Sequence, residues 1–389
     1  MTKTPPIATA LFVSALLVNP AFADTKIPQK YNVGGYIDVA GSSNYALGAH
    51  SAPRPLPRAP DLLITDKAAK YMATYGETTG LMLIDHGKVA FETYQGMGGK
   101  DREFFSMSMA KSLTSLTIGK ALCNGVLTGL DQRAGDIVAD LNTNNLGKST
   151  LLHLLTMNSG TYRAQNAGQP RFRGGLGKRP VSGKPFAGMH WPIRLGQITV
   201  GDILWGPGWD KVEGKNPHPP GHGFSYKGAD TLALGVVLQR AAGISLAEYF
   251  DRHIWQHVRP AGAAHWESDR TGVTVASSGF QARLTDWGRL AIWILAELKK
   301  HGCYGDYLRA ATSKQVATDG PLKQIFGGYG YQWWTDNVLA PGFWALGYAG
   351  QNFGIDPKRD RIIIKFSSAT SAPAQRALYD LFSDWNKTD

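Results

Sequence analysis

The sequence predicts an α/β protein in which an antiparallel sheet is flanked by helices and carries an inserted, mainly helical subdomain. Residues 80–94 have the pattern of two strands joined by a tight Asp-His-Gly turn. Three more strands are expected near the end of the chain, whereas residues 112–298 have a mostly helical pattern. Because strands flank the helical region on both sides, we expect one sheet assembled from both ends of the chain.

The individual elements follow this plan in chain order. A long Gly- and Pro-rich loop region, from Thr161 to Gly223, interrupts the helical part. The expected helices lie near Asp66–Tyr75, from Ser108 onward, over Asp230–Ala242 and over Ala374–Trp385. The expected late strands are Tyr329–Trp334, Gly342–Leu346 and Arg361–Phe366.

The first residues have the features of a secretory signal peptide. Lys3 precedes an apolar stretch from Ile7 to Val18, and Ala21-Phe22-Ala23 is a small-x-small cleavage signal. We therefore expect export to the periplasm or the medium after cleavage near Ala23. No later stretch approaches about 20 uninterrupted apolar residues, so no stable membrane insertion is expected.

These observations divide the chain into four expected parts. They are a signal peptide (1–23), an N-terminal arm lying on the surface (24–60), a sheet subdomain (61–111 and 299–389) and a mainly helical subdomain (112–298). Hydrophobic residues make up 43% of the chain and aromatic residues 11%, which is enough for a substantial core and does not indicate disorder. Oligomeric state and the pairing of Cys123 with Cys303 stay open at this point.

The formal net charge of +11 does not indicate a nucleic-acid partner. The basic residues are most concentrated in one Gly/Pro-rich loop, which has no interleaved aromatic residues and no nucleic-acid motif. This composition favours a solvated loop. The residues concerned are Arg171, Arg173, Lys178, Arg179 and Lys184. Three histidines in the loop region, at positions 190, 218 and 222, match no zinc spacing, so we expect no metal. The sequence has no Walker or dinucleotide-binding glycine loop, and we expect no other cofactor.

Ser108-Met-Ala-Lys111 is the most informative motif. Residues three apart on a helix share one face, so the Lys111 amine can lie beside the Ser108 hydroxyl. The Ser108 backbone N–H would lie at the positive end of the helix, where it can stabilise an oxyanion. Lysine ordinarily titrates near about 10.4, so Lys111 can act as a base at neutral pH only if burial or neighbouring cations lower its pKa by several units.

Two later motifs carry further candidate residues. Tyr226 follows a Pro-Pro-Gly turn and directly precedes an apolar helix, which would hold its side chain rigidly. Gly347-Tyr-Ala-Gly350-Gln351 is expected at a strand whose glycines let the backbone approach a substrate closely. We therefore expect Gly347, Gly350 and Gln351 to contact substrate, and backbone N–H groups here to complete an oxyanion hole.

The order of these motifs, with Leu154-Leu-Thr-Met-Asn-Ser-Gly160 between the first two, resembles the class C β-lactamase and penicillin-recognising serine hydrolase family. The chain is most similar to the 6-aminohexanoate-dimer hydrolase and esterase branch, over roughly residues 62–385. The resemblance implies a β-lactamase/transpeptidase-like fold. It also implies that Ser108 is the nucleophile, that Lys111 assists its deprotonation, and that Tyr226 shuttles the proton to the leaving group and later activates water.

By the same resemblance, the N–H groups of Ser108 and Tyr348 form the oxyanion hole, and whether Lys111 or Tyr226 is the first base stays open.

Two departures from the family pattern bear on the substrate. Tyr226-Lys227-Gly228 replaces Tyr-x-Asn, and Ala345-Leu346-Gly347 replaces Lys-Thr-Gly. The missing amide and cation would leave a β-lactam carboxylate unpaired on desolvation. Lys227 is another cation in this motif, but we expect its side chain to point to solvent.

We therefore predict an exported, cofactor-independent serine hydrolase that acts through an acyl-enzyme on a small-molecule ester or linear amide, with 6-aminohexanoate oligomers as the leading substrate class. One alternative is a β-lactamase or D-alanyl-D-alanine carboxypeptidase. Another is a non-catalytic envelope-binding protein of the same fold, which would not need Ser108, Lys111 and Tyr226 together.

Overall fold

A computed structural model describes residues 43–161, 193, 196, 198–205 and 218–387. The expected signal peptide, the basic cluster at 171–184 and His190 lie outside the described residues. Among the described residues, no helix is long and apolar enough to cross a bilayer.

The described α-helices are numbered in chain order. They are α1 (Leu62–Thr74), α2 (Ala110–Cys123), α3 (Ala134–Ile137), α4 (Asn145–Lys148), α5 (Leu151–Leu155), α6 (Val200–Leu204), α7 (Gly228–Ala242), α8 (Leu246–Phe250), α9 (Gln256–Val258), α10 (Leu284–Leu298), α11 (Cys303–Ala311) and α12 (Ala372–Trp385). Short 3₁₀ and π turns lie at Met107–Met109, Ala139–Thr143, Asp251–Trp255 and Pro321–Gln324.

The strands form two antiparallel sheets. They are β1 (Ser43–Leu47), β2 (Thr78–Asp85), β3 (Lys88–Tyr94), β4 (Glu103–Phe105), β5 (Ala264–Ser268), β6 (Phe280–Arg283), β7 (Val316–Ala317), β8 (Phe326–Tyr329), β9 (Trp334–Asn337), β10 (Phe343–Gly347), β11 (Gln351–Asp356) and β12 (Arg361–Ser367). The larger sheet has the order β3-β2-β12-β11-β10-β9-β8-β7, and the smaller one β1-β5-β6-β4. Strand β2 thus pairs with β12 from the other end of the chain.

The larger sheet separates two hydrophobic clusters. Leu81 and Leu83 of β2 pack in the same cluster as α1 and α12, and their neighbours Met82 and Ile84 pack in the same cluster as Trp287 of α10. Side chains alternate between the faces of a strand, so β2 contributes to both cores and must be apolar at successive positions. The predicted α/β class with an antiparallel sheet flanked by helices is confirmed.

The predicted hairpin at residues 80–94 is also confirmed. His86 and Gly87 link its strands with φ angles of +47° and +74°, so both turn residues are left-handed. Two left-handed residues are what a two-residue turn of the I′ type requires. The glycine supplies one of these conformations without the steric cost that a side chain adds.

One prediction about a strand is wrong. Tyr329–Trp334 is not one strand, because β8 ends at Tyr329 and β9 begins at Trp334. Gln332 between them has a φ of +64°, and its side-chain amide donates to the carbonyls of Leu154 and Leu155 at 2.9 Å each. These tertiary hydrogen bonds pull the segment out of the sheet. The smaller sheet was not expected, and its strand β1 lies within the predicted surface arm.

Helix α2 is buried on nearly every side, which is unusual for a helix that contains several hydroxyl residues. The hydroxyls have partners: Ser112 donates to the carbonyl of Gln332 at 2.6 Å, Thr114 to that of Ala276 at 2.8 Å, and Ser115 lies 3.1 Å from the Tyr307 hydroxyl. Burying a hydroxyl without a partner would be costly, so these bonds fix α2 in one register between its neighbours.

A disulfide between Cys123 and Cys303 ties the end of α2 to the start of α11 and closes the pairing question left open by the sequence. The two cysteines are 180 positions apart in sequence, with Cα atoms 5.7 Å apart. A cross-link over so long a loop restricts the unfolded chain strongly.

We expect the double variant Cys123→Ala/Cys303→Ala to lose about 3–5 kcal/mol of unfolding free energy, because the unfolded chain regains the conformational entropy of the loop. Urea unfolding of oxidised wild type and of the double variant measures this loss. A difference below about 1 kcal/mol would contradict the expectation, and the activity of the folded variant serves as the control for native structure.

Candidate active site

Ser108 lies in a strained turn directly before α2. The turn is anchored where the Ser106 N–H donates to the carbonyl of Phe280 at 2.8 Å. Met107 has a φ of +47°, a left-handed conformation that a side chain makes costly. The turn leaves Ser108 partly accessible, while Met109 and the residues of α2 behind it are buried. A reactant can therefore reach the Ser108 hydroxyl, while the buried residues behind it hold it in place.

Lys111 lies one turn further along and reaches the Ser108 hydroxyl, as the motif spacing predicts. Its Nζ is 2.8 Å from Ser108 Oγ and donates to the carbonyl of Ser277 at 2.9 Å. The side chain is buried, and desolvation lowers the pKa of Lys111 from 10.5 to about 7. The amine is thus close to half uncharged at neutral pH, which is the state needed to accept a proton.

Tyr226 approaches the same hydroxyl from the start of α7. The Lys111 Nζ lies 5.1 Å from the centre of the Tyr226 ring, and Tyr226 and Ser108 share a side-chain hydrogen bond. Desolvation raises the pKa of Tyr226 to about 12, an effect that the bond to Ser108 only partly offsets. The phenol is therefore protonated across the physiological range and can donate a proton.

An aromatic wall holds the Tyr226 ring. Its ring centre is 5.1 Å from that of Trp334 and 6.2 Å from that of Tyr329, and Phe224 lies 5.1 Å from Tyr329. Such contacts orient a ring as well as burying it. Trp333, Trp334 and Trp344 are buried in packing, whereas Trp191 and Trp209 lie outside the described residues.

The Gly347–Gly350 segment is brought to the site, but as a turn rather than as a strand. Gly347 ends β10 and Gln351 begins β11. A Cβ on Gly347 would lie 2.5 Å from the Ser106 carbonyl oxygen, so only glycine allows β10 to lie this close to the Ser108 turn. Tyr348 follows directly, which places its N–H at the same end of β10.

The Gln351 side chain braces this turn from behind. It is fully buried, donates to the carbonyls of Tyr348 at 2.9 Å and Ser367 at 2.8 Å, and accepts from the Ser367 N–H at 3.0 Å. Gly350 has a φ of +84° and a Cβ there would lie 3.0 Å from Thr370 Cβ. The contacts of Gly347, Gly350 and Gln351 with substrate stay predictions.

We expect Gly347→Ala to lower kcat/KM about 10- to 100-fold, because either the end of β10 or the Ser106–Ser108 turn must move by about 1 Å. Gly327→Ala in β8 is the matched control, since its added Cβ would meet its nearest atom at an ordinary 3.5 Å. Steady-state kinetics on one ester compares the three proteins. Equal losses in both variants would contradict a specific role for the approach at Gly347.

The predicted orientation of Lys227 is wrong. Its side chain is fully buried, lies 3.3 Å from Asp230 Oδ2 and donates to the carbonyl of Ser225 at 3.0 Å. The Asp230 carboxylate and the Ser225 carbonyl give the buried ammonium partners that replace water. Ser159 lies within the 154–160 motif, but no sequence signal identified Asp230 or the Ser277 carbonyl as part of the site, since their roles arise from tertiary contacts.

Ala345, which the motif resemblance aligns with the family's cation, is buried within β10. His218 and His222 are exposed. Within the described part of the chain, no group of three or more His, Cys, Asp or Glu residues is arranged to hold a metal ion.

Comparisons with known proteins identify the family of the chain. A profile of the Beta-lactamase family matches residues 64–382. A 6-aminohexanoate-dimer hydrolase of Paenarthrobacter ureafaciens is 27% identical over 154 residues, which are 37% of this chain and 39% of that protein. The chain thus matches well under half of the length of this curated relative.

Solved structures share the fold. A Bacillus anthracis protein described as a candidate 6-aminohexanoate-dimer hydrolase superimposes with a TM-score of 0.69 at 20% identity, covering 89% of this chain and 90% of that one. A class C β-lactamase from Rhodobacter sphaeroides gives 0.56 at 15% identity, covering 83% and 100%. A D-stereospecific amidohydrolase from Streptomyces gives 0.60 at 13%, covering 84% and 99%.

The predicted β-lactamase/transpeptidase-like fold is confirmed. The chain belongs to the beta-lactamase family. The likeness to 6-aminohexanoate-dimer hydrolases that the motifs indicated is confirmed as a similarity.

Proposed function

We propose that this protein is an exported serine hydrolase that cleaves an ester or a linear amide through an acyl-enzyme on Ser108. The observation that carries the proposal is the contact between a buried, partly uncharged Lys111 amine and the Ser108 hydroxyl, 2.8 Å apart. A nucleophile within hydrogen-bond reach of its base is the arrangement that covalent catalysis needs.

In the acylation step, neutral Lys111 accepts the hydroxyl proton as Ser108 Oγ attacks the carbonyl carbon of the substrate. The contrast between pKa values of about 7 for Lys111 and about 12 for Tyr226 supports Lys111 as the first base. The N–H groups of Ser108 and Tyr348 are assigned to the oxyanion, where each such donor contributes about 3–4 kcal/mol in other hydrolases.

In the second half of acylation, the tetrahedral intermediate collapses and the bond to the leaving group breaks. Protonated Tyr226 gives its proton to the leaving oxygen or nitrogen, and Lys111 returns a proton to the phenolate. Water then attacks the acyl-enzyme with one of these groups as base, which releases the acid and restores the Ser108 hydroxyl. The scheme needs no cofactor.

The lining of the site supports an ester or linear amide over a substrate that carries a carboxylate beside the scissile bond. Within the described residues, Ala345 takes the place of the family's cation, and Lys227 is buried against Asp230. The similarity to 6-aminohexanoate-dimer hydrolases makes such oligomers our first candidates.

We further propose export, on the basis of the Ala21-Phe22-Ala23 signal and the Cys123–Cys303 disulfide. Disulfides persist in oxidising compartments such as the periplasm. Mass spectrometry of the protein recovered from cell fractions tests this. A periplasmic or secreted chain that begins at Asp24 supports export, whereas a cytoplasmic chain that retains Met1 with reduced thiols contradicts it.

Fluorophosphonate labelling followed by peptide mass spectrometry tests the acyl-enzyme. The label is expected on Ser108, and its absence there would favour a non-catalytic binding protein. A kinetic panel of nitrocefin, p-nitrophenyl esters and the 6-aminohexanoate dimer then ranks the substrates. Faster turnover of nitrocefin than of the esters or the dimer would favour the β-lactamase alternative and overturn our assignment.

A further inference from the structure

We propose that the buried Lys227–Asp230 ion pair is a positioning device that holds Tyr226 against Ser108 and fixes the neighbouring Asn158–Ser159 loop. This inference rests on the proposed function, because it concerns the delivery of a proton by Tyr226. Both side chains are fully buried, with Lys227 Nζ 3.3 Å from Asp230 Oδ2.

The lysine closes a loop around Tyr226 itself. Lys227 Nζ donates to the carbonyl of Ser225 at 3.0 Å, so the residues on either side of Tyr226 are tied to each other. Lys227 directly precedes α7, and Asp230 lies in the first turn of that helix, where the helix dipole favours a negative charge. The backbone that carries Tyr226 is therefore fixed to the start of α7.

The aspartate extends this connection to a second loop. Asp230 accepts hydrogen bonds from Ser159 Oγ at 2.7 Å and from the Ser159 N–H at 3.3 Å. The Ser225 N–H donates to the carbonyl of Met157 at 2.9 Å, and Asn158 Oδ1 accepts from the Gly223 N–H at 2.7 Å. The segment before Tyr226 thus contacts the 157–159 loop through Ser225 and Gly223, and the segment after it contacts the same loop through Asp230.

The role is geometric rather than electrostatic. Burial alone lowers the pKa of Lys111, and burial together with the bond to Ser108 sets the pKa of Tyr226. A buried ion pair is a poor source of stability, because desolvation offsets much of its attraction. The Lys227–Asp230 pair is costly to bury and lies next to the proton donor. A need to orient Tyr226 explains it better than a contribution to stability does.

The test separates proton delivery from the other steps by comparing two esters of one acyl group. A p-nitrophenyl ester releases a weakly basic phenolate without needing a proton, whereas the leaving oxygen of an alkyl ester must be protonated as it departs. The ratio of kcat/KM for the p-nitrophenyl ester to that for the alkyl ester therefore reports on Tyr226. A merely structural defect would lower both values and leave the ratio unchanged.

Lys227→Met/Asp230→Asn removes both charges together and avoids leaving one charge buried alone. We expect its ratio to rise about ten-fold or more, as in Tyr226→Phe, and to rise no further when the three substitutions are combined. The milder Ser159→Ala, which removes one donor to Asp230, is expected to raise the ratio less and guards against a double variant that does not fold.

Arg289→Met/Asp286→Asn is the matched control. This i,i+3 pair, 2.9 Å apart, also lies at the start of a helix with a buried aspartate, but Asp286 accepts from the Ala261 and Gly262 N–H groups, and the Arg289 guanidinium donates to the Arg54 carbonyl. Its ratio should stay at the wild-type value. A ratio that changes in Tyr226→Phe but not in the Lys227/Asp230 or Ser159 variants would overturn the positioning role.

Failure of the proposed function has a different signature. In that case the wild type hydrolyses neither ester and takes no fluorophosphonate label on Ser108, and the positioning role is overturned with it. An active wild type whose ratio is unaffected by the Lys227/Asp230 and Ser159 variants leaves the serine mechanism intact and removes only the inference about Lys227 and Asp230.

Discussion

Alanine in place of Ser108 is expected to lower kcat by about 10⁴-fold or more on every substrate, because no other group then forms the acyl-enzyme. The fold should be retained, since Ser108 is partly accessible and its removal deletes only small contacts with Lys111 and Tyr226. Steady-state kinetics and thermal unfolding of Ser108→Ala measure the two effects.

The same variant has a second readout in its labelling. Fluorophosphonate should modify wild type on the peptide containing Ser108 and leave Ser108→Ala unmodified at that peptide. Turnover by the variant at a rate near that of wild type, after active-site titration excludes contaminating enzyme, would contradict the role of Ser108.

Methionine in place of Lys111 is expected to lower kcat by about 10³-fold or more and to stabilise the fold at neutral pH. The pKa of Lys111 is about 7 in the folded protein, against an ordinary 10.5. The unfolded chain therefore binds more protons between these values, so wild-type stability falls as the pH is lowered from about 10 to about 7. By linkage, this costs about 4 kcal/mol at pH 7.

The stability gain of Lys111→Met is partly offset because the Ser277 carbonyl loses its 2.9 Å partner, at a cost of about 1–3 kcal/mol. We expect a net gain of about 1–3 kcal/mol at pH 7 that shrinks as the pH approaches 10. Urea unfolding at a series of pH values measures it.

Lys120→Met on the same helix is the control for the Lys111 variant. The Lys120 amine lies 3.8 Å from the centre of the Tyr304 ring and 3.9 Å from Glu297, away from the Ser108 hydroxyl. Lys120→Met is expected to retain wild-type kcat and to show no comparable stabilisation. A Lys111→Met protein whose advantage over wild type grows with pH would contradict a lowered Lys111 pKa.

The parts of the fold that local chemistry determines were predictable from the sequence. The Asp-His-Gly turn fixed the β2–β3 hairpin, and the Ser-x-x-Lys spacing brought Ser108 and Lys111 into contact. Both depend on residues a few positions apart, whose geometry a turn or one helical turn determines.

The features that were missed depend on contacts distant in sequence. Ser43–Leu47 became a strand because β5, more than 200 positions later, offers a partner. Tyr329–Trp334 was split by the bonds of Gln332 to α5, and Lys227 turned inward to Asp230. A strand-like or solvent-exposed pattern cannot reveal such partners, because tertiary hydrogen bonds override local propensity.

The pH dependence of fluorophosphonate labelling on Ser108 tests the central claim most directly, because acylation requires the uncharged Lys111 amine. With the pKa of Lys111 at about 7 and that of Tyr226 at about 12, the labelling rate should rise between about pH 5 and pH 9 and level off, with its midpoint near 7. A rate that does not change over this range, or that still rises steeply toward the ordinary pKa of lysine, would contradict the account.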